Sequence, residues 1–252
     1  MELLNLQMDK QLYFYFCTEK SDPTETDAYR SIRKLIDCSI LGENSWGCTT
    51  ECEDSLATVY NKVLASDEVI GKILVLIHDD ITMDDLFVAD KLNTRFSISP
   101  KACVVGIAGP GTIQCKKHNL YLWHLIGRYE KNLGSVANKV PSAGYEMDSI
   151  LCPQFTTTFG PQAERSVMVD GCFMAIDVDR VRKLGVTFDE KCPARYHFYD
   201  LIFSLKCFQA GGELYVDNIH VVHRSPGLTK KSEEFMLGNS YFENNYMSKI
   251  CG

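Results

Sequence analysis

Five apolar residues, Ile73 to Ile77, run directly into His78, Asp79 and Asp80 in the stretch KILVLIHDDITMDD. Adjacent carboxylates repel each other and are costly to bury, so their place after a strand calls for positive charge nearby. A divalent cation such as Mg2+ or Mn2+ takes oxygen ligands, one or two of them carboxylates, with waters and substrate phosphates completing the shell. The same pair can instead solvate a loop or cap the following helix, since acidic residues are common turn formers. In RYHFYDLIF, Arg195 to Phe203, the residues Tyr196, Phe198, Tyr199 and Phe203 offer a concave aromatic setting. There His197 and Asp200 stand three apart, on one side of a helix's first turn, and an acid so placed can serve as a general base. Otherwise Asp200 is a helix cap and His197 a surface histidine. In IHVVHRSPG, Ile219 to Gly227, alternation along a strand points His220 and His223 to opposite faces. His223 closes the strand, from where it can reach a ligand held by neighbouring strands. The alternative for such a histidine is a purely structural role.

The elements that must hold these residues follow from periodicity. LYFYFCT, Leu12 to Thr18, reads as a strand, and DAYRSIRKLI as a helix capped by Asp27. Leu56, Val59, Tyr60, Val63 and Leu64 keep the spacing of an amphipathic helix. Ile73 to Ile77 and ACVVGIAG, Ala102 to Gly109, are continuous apolar runs typical of strands buried on both faces. DDLFVADKLNTRF is helical, with Asp84 or Asp85 at its N-terminal dipole. VMVDGCFMAID reads as a strand interrupted at Asp170-Gly171; VDRVRKLG and FYDLIFSLKCFQAGG read as helices ending in glycine. Strand material is also expected at NLYLWHLIG, amid long loops, and at ELYVDNIHVVH, and a loosely docked helix in the polar, aromatic tail from Leu228. Strands alternating with helices predict a mixed, mostly parallel sheet covered on both faces, with ligands beyond the strands' carboxyl ends.

Composition narrows the class. The 252 residues, 45% hydrophobic and 23% charged, suit one globular domain, and no apolar run reaches the length of a membrane span. The start MELLNLQMDKQ has no basic n-region, so no signal peptide is expected and the chain reads as cytoplasmic. A net charge of -7 argues against a nucleic-acid-coating surface. The 11 cysteines are scattered, several in apolar strands, and read as reduced thiols. Cys48 and Cys52 can open a zinc site, but no second pair stands at metal-ligand spacing.

Together, SLATVYNKVL, ILVLIHDDI, VVGIAG, VDGCFMAIDVDRVRKLGVTFDE and HFYDLIFSLKCFQAGGELYVDNIHVVHRSPG occur in an order that resembles the inverting nucleotide-sugar glycosyltransferases of the family-two, GT-A-fold type. The resemblance is to a small soluble subgroup with a histidine before paired aspartates, and covers roughly Leu12 to Gly227. It implies a single Rossmann-related α/β domain: a nucleotide-binding half over about 10–115, an acceptor and catalytic half over about 116–227, and a tail over 228–252. It implies Asp80 as metal ligand, Asp79 at the ribose or the metal, and His223 at the metal and diphosphate. Asp200 becomes the catalytic base, Asp170-Gly171 the loop lining donor sugar or acceptor, and His197 and Tyr199 acceptor-side residues. Thr18, Glu19, Glu43 and Asn44 would lie near the base or ribose.

The implied partners are a nucleoside-diphosphate sugar, a Mn2+ or Mg2+ ion, and a glycan, lipid-linked or protein acceptor. A sugar hydroxyl is a feeble nucleophile and a nucleoside diphosphate a highly charged leaving group, which is why base and cation are both needed. The chain departs from the fuller family pattern at Ile77, where another Asp often stands, and at Tyr199, where an acidic pair is common. The Gln-x-x-Arg-Trp signature of processive synthases is absent, so one sugar per acceptor is expected. Two other readings stay open: a metal-dependent phosphohydrolase or nucleotidyltransferase, which needs no acceptor sugar, and a non-catalytic nucleotide- or carbohydrate-binding module.

Overall fold

The computed structural model describes residues 9–113, 115, 132–139, 154–224 and 232–251. Apolar runs become strands wherever the sequence gives them no helical period. In chain order the first half supplies β1 (Leu12–Cys17), α1 (Asp27–Asp37), β2 (Trp46–Thr49), α2 (Leu56–Ala65), β3 (Ile73–Ile77), β4 (Ile81–Met83), α3 (Val88–Ile98), β5 (Ala102–Gly106) and β6 (Ala108–Pro110). The second half supplies β7 (Asn132–Lys139), β8 (Gln154–Thr158), β9 (Glu164–Ser166), β10 (Phe173–Asp177), α4 (Val178–Leu184), α5 (Tyr199–Gln209), β11 (Glu213–Val216) and β12 (Val221–His223). The C-terminal helices are α6 (Glu233–Phe242) and α7 (Ser248–Cys251). The strand expected at NLYLWHLIG lies outside the described residues.

The main sheet has the order β2-β1-β3-β10-β5-β11-β9. Strands β2, β1, β3, β5 and β11 run one way, and β10 and β9 run against them. A smaller sheet, β4-β12-β7-β6 with β8 on β7, stands at its side. Every residue of β3 is buried, and its two faces feed different cores. Ile73, Val75 and Ile77 pack with Ile32, Leu35, Leu92 and Phe96 of α1 and α3. Leu74 and Leu76 pack with Val59, Tyr60 and Val63 of α2 and with Tyr199 and Phe203 of α5. The continuous apolar run is thus the signature of a strand sandwiched between helices.

Several element ends differ from the sequence reading. The cap of α1 is Thr26, whose hydroxyl accepts the Tyr29 N–H, and Asp27 is the first helical residue. Helix α3 starts only at Val88, because Asp85 folds back to accept the Phe87 N–H and the Lys91 ammonium. Helix α4 ends, as expected, at Gly185 in the left-handed conformation, φ 67°.

Cys115 and Cys251 form a disulfide across 136 residues, against the expectation of reduced thiols throughout. Among the described residues eight cysteines are free. Closing so long a loop restricts the unfolded chain, and Cys251→Ser is expected to lower unfolding stability by about 2–4 kcal/mol. Denaturant titration without reductant checks this, and a midpoint equal to wild type would mean the bond contributes nothing.

Candidate active site at the carboxyl edge of the sheet

The buried run of β3 ends where two other elements arrive. Strand β10 pairs antiparallel with β3, Phe173 opposite Ile77, so the Asp170-Gly171-Cys172 turn before it overhangs the end of β3. The His78 N–H donates to the Cys172 carbonyl at 3.3 Å. From the other side, β12 pairs antiparallel with β4, His223 opposite Ile81, and the Arg224 N–H donates to the Asp80 carbonyl at 2.9 Å. This register brings His223 Nε2 to 3.3 Å from Asp80 Oδ1. The His78 ring meets the His223 ring edge-on, centroids 5.4 Å apart.

His78, Asp80 and His223 each offer a ligand atom, all within 4.8 Å of one another. Two imidazoles and one carboxylate suit a first-row divalent ion and leave positions open for water or phosphate. Charge is arranged accordingly. Burial holds His78 below its usual value, and the neighbouring His223 adds to this. At Asp80 burial works upward, but the hydrogen bond and charge of His223 outweigh it and the carboxyl lies low. Burial works downward at His223, and Asp80 reverses this and raises it. A cation bound here would compete with a proton at His223, because imidazole ligates in its neutral form.

Asp79 points elsewhere: its Oδ2 accepts the Thr18 hydroxyl at 2.7 Å, and it is not part of the three-residue group. Thr18 follows β1, which is parallel to β3, so both residues stand at the same sheet edge. They line a cavity of about 470 Å³ together with Cys17, Glu19, Lys20, Cys52, Leu56, Tyr60, His78, Tyr196 and His197. Glu43 and Asn44 are not there. Strand β2 runs parallel to β1 from Trp46, opposite Phe14, so residues before it lie at the opposite end of the sheet. They border a separate depression with Tyr13, Trp46, Glu68 and Lys72, and Glu43 pairs with Arg33. The residue that reaches the site from the far end of β2 is Cys52, whose N–H donates to the Thr18 carbonyl at 3.1 Å.

Asp200 stands in the first turn of α5, which Phe198 enters with a left-handed φ of 64° and no side-chain cap. Its Oδ2 accepts the Gly171 N–H at 2.7 Å. Burial and then the negative charge of Asp170 push its carboxyl from 3.8 up to about 7, against the pull of the Leu201 and Gly171 N–H groups. A carboxyl near 7 is matched to accepting a proton at neutral pH. Asp170 accepts the Cys172 N–H at 3.0 Å within its own turn. His197 packs edge-on against Phe235 of α6, and burial lowers its pKa.

Tyr199, expected on the acceptor side, is 3% exposed and packs between Tyr60 and Phe188. Its position beside Asp200 at the helix start turns it into the core. The residue to which the sequence reading assigned no role is His78. Its place between a fully apolar run and two carboxylates is the signal for it, but only the arrival of β12 makes it one of a pair of imidazoles.

No protein-family model matches the sequence, and no curated protein sequence is significantly similar to it. Among solved structures the chain is similar to GalNAc-T7 with UDP, GalNAc and Mn2+, with a TM-score of 0.54 at 13% identity. The match covers 94% of this chain and 48% of that one, so the chain spans about half the length of its solved neighbour. It also matches S. aureus TarS 1-349 with a TM-score of 0.40 at 10% identity, over 96% of this chain and 76% of that one. The first likeness shows the fold, a mixed α/β arrangement of the GT-A-like kind. No helix among the described residues is long and apolar enough to cross a membrane.

A ligand bound only by the native state stabilises it, by about 2.7 kcal/mol at a hundred times Kd. Mn2+ is therefore expected to raise the melting temperature of the wild type, and Asp80→Asn and His223→Ala to lose that response. A full Mn2+ shift in both variants, read by differential scanning fluorimetry, would place the ion elsewhere.

Proposed function

We propose that the protein is an inverting, metal-dependent glycosyltransferase that moves one sugar from a nucleoside-diphosphate sugar to an acceptor hydroxyl. The observation that carries this is the His78, Asp80 and His223 group beside a nucleotide-sized cavity on one side and a near-neutral carboxyl, Asp200, on the other. The GT-A-like fold supports it, as does the presence of UDP, GalNAc and Mn2+ in GalNAc-T7.

In this reading residues of about 10–115 bind the nucleotide, those of about 116–227 serve the acceptor and the chemistry, and 228–252 form a tail. The nucleoside occupies the cavity after β1, with Thr18, Glu19 and Asp79 toward base and ribose. Cys52 takes the place expected of Glu43 and Asn44. His78, Asp80 and His223 hold the ion; two nitrogen ligands favour Mn2+ over Mg2+, which prefers an all-oxygen shell. When bound, the ion supplies positive charge against the diphosphate leaving group. Asp170 and Gly171 border the donor sugar, and His197 faces the acceptor side. Asp200 Oδ1, free of the Gly171 N–H, accepts the acceptor's hydroxyl proton as the oxygen attacks the anomeric carbon and the diphosphate departs. With a base and no covalent sugar intermediate, displacement inverts the anomeric centre.

A thermal-shift screen of nucleotide-sugars with and without Mn2+ tests the assignment, and failure of all nucleotide-sugars and nucleoside diphosphates to bind would remove it. Once a donor is found, the anomeric configuration of the product by NMR tests the displacement; retention would overturn the role given to Asp200. Two further outcomes are expected. The pH profile of kcat/KM should rise through about 7 as Asp200 loses its proton. Between about pH 4 and 7 the folded chain holds a proton there that the unfolded chain has released, so ionising Asp200 costs stability as pH rises. Asp200→Asn should therefore abolish transfer, keep donor binding, and melt no lower than wild type at pH 8. Retained transfer, or a clearly lower melting temperature, would contradict the assignment.

A further inference from the structure

The two halves of the site are joined through a side chain that touches neither solvent nor the cavity. Tyr199 is 3% exposed, its ring held edge-on to Tyr60 at 5.6 Å and tilted against Phe188 at 6.4 Å. Its hydroxyl lies 3.0 Å from His78 Nε2 and 3.1 Å from the Gly171 carbonyl oxygen. A phenol carries one proton, and a backbone carbonyl can only accept. Satisfying the carbonyl therefore spends the Tyr199 proton, and the phenolic oxygen is left as an acceptor facing His78.

We infer that Tyr199 is a positioning residue that fixes His78 as the Nε2–H tautomer, directing the Nδ1 lone pair to the cation shared with Asp80 and His223. The inference rests on the metal-site part of the proposed function and not on sugar transfer. It is the relation found at histidine-bound metals in general: the ring nitrogen that does not ligate donates to a fixed acceptor, which sets tautomer and orientation.

Gly171 extends the device to the base. Its N–H holds Asp200 Oδ2 at 2.7 Å while its carbonyl takes the Tyr199 proton, so one residue anchors both the proton acceptor and the orienter of a metal ligand. Only glycine fits: a Cβ there would strike the Tyr199 hydroxyl and come within 2.9 Å of Asp200 Cβ. Tyr199 and Gly171, adjacent to the reacting groups, thus act through His78 and Asp200.

Long-range 1H–15N NMR of the His78 imidazole in the metal-free wild type reads the tautomer directly. The Nε2–H form is expected; the Nδ1–H form would overturn the inference. Tyr199→Phe keeps the ring packing and removes the hydroxyl, and should weaken Mn2+ binding about 10–100-fold by EPR titration. It should also leave His78 as a mixture of tautomers. Unchanged Mn2+ affinity in that variant would equally overturn the inference, and if the variant fails to fold the wild-type spectrum still decides. Neither readout involves a sugar, so a chain that passes both and transfers nothing loses the proposed activity and keeps this one.

Discussion

The register of β12 against β4 is the constraint on which the site depends. Opposing His223 to Ile81 is what sets an imidazole against Asp80, from a stretch far away in sequence. Both short strands are clamped. On β4, the Met83 N–H donates to the buried Ser31 hydroxyl of α1 at 2.8 Å. Asp85 just beyond accepts the His220 N–H at 3.1 Å, fixing the start of β12. A slip of one residue would turn His223 away from Asp80. A second small sheet thus delivers one imidazole, His223, to the edge of the first.

That delivery resolves an electrostatic problem set by the main sheet. Its carboxyl edge gathers Asp79, Asp80, Asp170 and Asp200, and each meets a different partner. Thr18 satisfies Asp79, His223 offsets Asp80, the turn's own N–H satisfies Asp170, and Gly171 donates to Asp200. Burial and the neighbouring Asp170 raise the Asp200 carboxyl. Opposite shifts in two carboxyls of one site, Asp80 down and Asp200 up, are how environment gives identical side chains different chemical roles.

The strands and helices that frame the site were legible because local pattern decides them. Ile73 to Ile77, a short apolar run followed by polar residues, reads as a buried strand, and it carries Asp79 and Asp80 at its end. Legibility failed where position depends on long-range pairing. Glu43 and Asn44 precede β2, and nothing in CSILGENSWGCTTECE indicates that Trp46–Thr49 is a strand, so the sides of the sheet could not be assigned. Tyr199 and Asp200 are neighbours that both reach Gly171, Tyr199 from a ring packed in the core and Asp200 through its carboxylate. The partnership of His78 with His223 and the bond between Cys115 and Cys251 likewise join residues that no local spacing connects.

The central claim, that the end of β3 and the end of β12 together bind a cation carrying a nucleoside diphosphate, is tested most directly by anomalous diffraction from crystals grown with Mn2+ and UDP. One Mn2+ peak is expected, coordinated by His78, Asp80 and His223 and by diphosphate oxygens, with the nucleoside in the cavity beside Thr18 and Asp79. A nucleotide bound there without Mn2+ at these three residues, or Mn2+ bound elsewhere, would contradict it.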